Sequence, residues 1–113
     1  MTITLTPAQI DGLAFLKSHL EPGVVIHFKS DWRGVGRTAV VAELLKERGV
    51  PYRVFVADHM ERRQWKVFGV NADFWHPERI VDAQIVVIGH SVTQSRPFIR
   101  QEIEYRGIRG IEL

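Results

Sequence analysis

The stretch Val24–Leu45, VVIHFKSDWRGVGRTAVVAELL, changes its periodicity part-way along, and that change decides the fold class. Val24–Phe28 is a short run rich in β-branched and aromatic residues, which predicts a strand. Thr38–Arg48, TAVVAELLKER, carries apolar residues at helical spacing, with Val41, Leu44 and Leu45 on the inward face. Gly49 is placed to cap that helix, and Pro51 prevents its continuation. Between strand and helix lies a loop containing Gly34 and Gly36.

Outward from this unit the alternation continues. Thr6-Pro7-Ala8-Gln9 reads as a capping box opening a helix, along which Ile10, Leu13, Ala14, Leu16 and Leu20 recur. Arg53–Ala57 predicts a second strand and His59–Phe68 a shorter helix. Gln84–Ile88 predicts a third strand, apolar enough to be central. Arg96–Tyr105 suits a helix stopped by Gly107, and Ile108–Leu113 a last edge strand. Asn71–Ile80, aromatic and interrupted by Pro77, is the least legible segment. The order α-βαβαβα(β) implies a single α/β domain over residues 1–113: a small three-layer, Rossmann-like arrangement of three or four mostly parallel strands with an N-terminal helix. Sites in such sheets lie at the carboxyl ends of the strands. Here those ends are 29–38, Asp58–His59 and Gly89–Ser95.

Composition narrows the chemistry. The chain has 113 residues and no cysteine, which excludes disulfides, thiolate metal sites and thiol catalysis. With no apolar run long enough to span a bilayer and no signal-peptide pattern at the N-terminus, a cytoplasmic protein is expected. Fifteen basic and thirteen acidic residues leave a net charge of only +2, so any anionic partner must be met by a local patch. Arg62, Arg63 and Lys66, around Trp65, form one such candidate.

Asp31-Trp32-Arg33-Gly34-Val35-Gly36-Arg37-Thr38 approaches the pattern G-x-x-x-x-G-K-[ST], in which backbone N–H groups cradle phosphate at a helix N-terminus. The stretch resembles the P-loop NTPases in a degenerate form. That resemblance implies anion binding by Gly34, Gly36, Arg37 and Thr38, with Arg33 adding charge. Asp31 stands at the first glycine position and Arg37 at the lysine position, and the swap of lysine for a planar guanidinium is not conservative. The strand matching the family's acidic metal-binding strand ends in Gly89-His90, with no carboxylate to serve magnesium. Hydrolysis depends on the positions that have changed. The chain is also similar to a cysteine-less glutaredoxin or thioredoxin-like domain over Val24–Asp58 and Asp82–Ile99, with a hairpin turn at Gly89-His90; that likeness implies a fold and no redox chemistry. Ile85–Glu102 resembles the late segment of Toll-receptor-type domains.

The residues favour a non-enzymatic binding or regulatory protein on an eroded nucleotide-binding-type scaffold, with Trp32, Arg62, Arg63 and Trp65 as its interaction surface. Buried packing is the alternative for the tryptophans. Two further readings stay open: a phosphate- or nucleotide-binding module with weak or no hydrolysis, and a Rossmann-like enzyme acting at a strand-end polar site of Asp58 and His90. A protein partner is expected, with an anionic ligand or nucleic acid as the further options. No cofactor beyond a nucleotide or phosphate is implied. The five histidines show no metal-ligand spacing, so no metal site is assigned.

Overall fold

A computed structural model describes residues 4–28, 36–75, 83–95 and 99–113. Trp32, Arg33 and Gly34 lie outside the described residues. The elements are α1 Pro7–His19, β1 Val25–His27, α2 Gly36–Arg48, β2 Tyr52–Val56, α3 His59–Val67, β3 Asp73–Phe74, β4 Ile85–Ile88, α4 His90–Ser95, α5 Ile99–Tyr105 and β5 Arg109–Glu112. The local signals act as their chemistry dictates. Thr6 Oγ1 accepts from Gln9 N while Gln9 Oε1 accepts from Thr6 N, a reciprocal cap on α1. Gly49 follows α2 with φ 61°, the left-handed geometry of a helix C-terminus.

Among the described residues, five strands form one all-parallel sheet in the order β1-β5-β4-β2-β3. Alternation along the strands divides the core into two layers. Val54, Val56, Ile85, Val87 and Ile111 join Leu13, Leu16, Trp65 and the inner side of α2 on one face. Phe55, Val86 and Ile88 join Val92, Ile99 and Ile103 on the other. The result is a three-layer, Rossmann-like α/β domain. β4 is central and buried on both faces, which explains its unbroken apolar run Ile85-Val86-Val87-Ile88.

Several expectations need correction. β5 is not an edge strand: it pairs with β1 on one side and β4 on the other. Arg109 and Glu112 at its ends are half-buried, and the buried pair Gly110-Ile111 seats the four-residue strand internally. Among the described residues the edges are β1 and the two-residue β3, and the poorly legible segment supplies the second of them. Ile10, one of the apolar residues recurring along α1, is 54% exposed. α1 packs chiefly on α2, so Leu13 and Leu16 form a narrower buried stripe than the sequence spacing suggested. α2, by contrast, buries seven residues from Thr38 to Leu45. Residues 89–95, expected as loop, contain α4. Gly89-His90 therefore leads into a helix, and not into the hairpin turn implied by the glutaredoxin likeness.

Candidate functional site

The connections from β2 and β4 leave in opposite directions across the sheet. β2 passes through α3 to β3 on one side, and β4 passes through α4 and α5 to β5 on the other. In open parallel sheets such a reversal leaves a crevice at the strand carboxyl ends, the usual ligand position. A crevice of about 230 Å³ lies there, lined by Arg37, Thr38, Asp58, Glu61, Gln64 and His90, with Met60 and Leu113 completing the wall.

The fold thus gathers four of the residues singled out from the sequence: Arg37 and Thr38 from the start of α2, Asp58 after β2, and His90 after β4. Arg37 Nη1 donates to Phe28 O at 3.4 Å, a long bond tying the start of α2 to the end of β1. Gly36 begins α2, and its carbonyl accepts from Gln9 Nε2 at 3.2 Å. Thr38 is 8% exposed.

Asp58 and its neighbours are already engaged. Asp58 Oδ1 accepts from Glu61 N at 2.7 Å and so caps α3. Glu61 Oε2 accepts from Ser91 N at 2.9 Å, reaching from α3 to the first turn of α4. Ser91 Oγ accepts in turn from Ala57 N at 2.8 Å. Glu61 was not assigned to the site from the sequence, and Ser91 entered only as part of the strand end Gly89–Ser95. The spacing Asp58-x-x-Glu61 is a helix-start signal, but it indicates a local cap and says nothing of the reach to α4.

Trp65 does not line any such surface. It is fully buried in the core beneath α2 and the sheet, which corrects its assignment as a contact residue. It lies on the inner face of α3, and its basic neighbours point away. Arg62, Arg63 and Lys66 are exposed and, with His59, line a larger groove of about 560 Å³ whose opposite wall is Val70–Asp73. Beside it, Phe74 is 39% exposed, with the His59 ring edge-on at 5.0 Å and the Arg62 guanidinium 5.5 Å from the ring centroid.

No protein-family model, curated protein or solved structure matches the chain. Among the described residues no group of three His, Asp or Glu side chains is arranged to hold a metal ion. No helix among them is long and apolar enough to cross a membrane.

Proposed function

We propose that this chain is a non-enzymatic binding or regulatory protein built on a Rossmann-like scaffold. The observation that carries this reading is the bonding of the polar groups at the carboxyl ends of β2 and β4, the usual seat of chemistry in such sheets. Asp58 caps α3, Glu61 accepts from Ser91 N, and the Ser91 hydroxyl accepts from Ala57 N. These groups brace one strand end against the next. A general base or nucleophile needs a lone pair directed at substrate, and here Asp58 Oδ1, Glu61 Oε2 and Ser91 Oγ are each turned to a backbone donor.

A second reading rests on Arg37 and Thr38, which line the crevice at the start of α2 as a phosphate-binding residue pair would. Asp58 and Glu61 share that crevice, and their charge opposes a polyphosphate. A single phosphate-sized anion fits this arrangement better than a nucleoside triphosphate.

Two measurements on the intact chain test both readings. Phosphate release from ATP and GTP with magnesium should stay at the buffer background; sustained turnover overturns the non-enzymatic reading. Inorganic phosphate should raise the melting temperature by mass action if the crevice holds an anion. That rise should vanish in Arg37→Ala if the second reading is right.

A further inference from the structure

We infer that the groove between α3 and β3 binds single-stranded nucleic acid. The inference deepens the binding role proposed above and rests on it for the nature of the activity, though its site is separate from the crevice at the strand ends.

Charge is the first component. His59, Arg62, Arg63 and Lys66 share the outward side of a nine-residue helix. Among the described residues, none of Arg62, Arg63 and Lys66 forms an ion pair. The acidic residue of the opposite wall, Asp73, lies 3.4 Å from Arg53 Nη1, so its charge is offset locally. The groove therefore presents positive charge along its length even though the whole chain is close to neutral. Arg62 and Lys66 are one helical turn apart, about 6 Å along the axis, so the cations form a row and not a single point.

The aromatic component selects among anions. Phe74, at the end of the edge strand β3, keeps more than a third of its surface exposed while Arg62 lies against the ring. An exposed ring beside a cationic row matches the stacking platform and charged groove by which proteins hold unpaired bases and their phosphates. A duplex has its base faces occupied by stacking, and the carboxylates of an acidic polypeptide are repelled by the negative face of the ring. Single-stranded nucleic acid uses both features at once.

The test is fluorescence anisotropy with a short labelled oligothymidylate, with inorganic polyphosphate, poly-glutamate and ATP as competitors. Binding should weaken with salt, with a slope of log K against log salt of about −2 for three phosphate contacts on a single strand. Arg62→Glu/Arg63→Glu should lower affinity at least tenfold and flatten that slope. Phe74→Leu should lower it about tenfold and leave the slope unchanged, because stacking carries no counterion release. Circular dichroism melting of each variant separates lost binding from lost folding. Polyphosphate competing as well as the oligonucleotide, together with a silent Phe74→Leu, overturns the inference in favour of charge alone. Poly-glutamate competing better overturns it in favour of an acidic polypeptide and leaves the binding role intact. ATP matching the oligonucleotide overturns the strand in favour of a free nucleotide. A folded protein that binds no probe removes the groove as a binding surface, while the phosphate-release assay judges the non-enzymatic reading separately.

Discussion

The Glu61 carboxylate of α3 accepts the backbone N–H of Ser91, at 2.9 Å, in the first turn of α4. Glu61 thereby serves a short helix that begins at the end of a different strand. First-turn N–H groups have no partner within their own helix, and here one is met by a side chain thirty residues earlier in the chain. The reciprocal bond, from Ala57 N to Ser91 Oγ, runs the other way across the same gap. Together they fix the carboxyl ends of β2 and β4 relative to one another at the point where the sheet's connections diverge.

That geometry makes Gly89 sensitive to any side chain. A Cβ there would overlap Glu61 Oε1 and sit 2.8 Å from the Phe55 carbonyl oxygen. The carboxylate can rotate away, but the carbonyl belongs to β2 and already accepts from Gly89 N at 2.8 Å. Gly89→Ala should therefore cost about 2–3 kcal/mol in urea unfolding, in the range of an overpacked core. Adding Glu61→Ala should recover only part of the loss, because the backbone clash remains. Full recovery would locate the whole constraint in the carboxylate.

Removing Glu61 alone tests the brace. Glu61→Ala takes the acceptor from Ser91 N, and because the bond is partly buried the loss should be about 1 kcal/mol. Glu61→Gln keeps an oxygen acceptor and forfeits only the charge assistance, so it should lose less. Ser91→Ala removes the bond to Ala57 N. A double-mutant cycle between the two positions should show a coupling of about 0.5 kcal/mol, since both bonds hold the same strand ends. Strict additivity would mean that the two bonds act independently.

The fold was legible where local chemistry and tertiary demand coincide. The Thr6 capping box, the apolar run of β4 and the glycine after α2 each state their structure within a few residues. The rest depended on partners distant in sequence. Arg109-Gly110-Ile111-Glu112 has an edge-like composition, and only pairing with both β1 and β4 makes it internal. Ile10 has helical spacing, but α1 packs chiefly on α2 and leaves that residue outside. For the site, the strand-end rule brought Arg37, Thr38, Asp58 and His90 to one crevice. Glu61 was missed because its contact with Ser91 bridges two turns, and no periodicity records such a bridge.

Trp65 combines a large buried ring with an N–H that meets no acceptor: it is fully buried, and among the described residues Nε1 has no hydrogen-bond partner. Its value to the fold lies in the ring. Trp65→Ala should cost about 3–5 kcal/mol through the cavity left beneath α2. Trp65→Phe leaves a smaller void and also removes the desolvated donor, so the two effects offset. The net loss should stay below about 1.5 kcal/mol, measured by urea unfolding. A Phe variant as unstable as the Ala variant would mean that the indole nitrogen has a partner.

Asp58 separates a structural carboxylate from a catalytic one. Its Oδ1 accepts from Glu61 N at 2.7 Å, and an Asn side chain offers the same amide oxygen at the same distance from the backbone. Asp58→Asn should therefore lose only a few tenths of a kcal/mol, from the weaker interaction with the helix dipole. Asp58→Ala, which leaves the cap unmade, should lose about 1 kcal/mol. Oligonucleotide binding at the α3–β3 groove should be unchanged in Asp58→Asn, because the cap holds and the cations keep their places. A carboxylate needed for proton transfer would behave in the opposite way: the Asn variant would fold normally and lose its activity, since an amide cannot take a proton near neutral pH. Thermal unfolding and the phosphate-release assay, run on both forms, distinguish the two roles: a stable Asp58→Asn with phosphate release at background before and after the substitution is the outcome expected of a residue whose work is to start a helix.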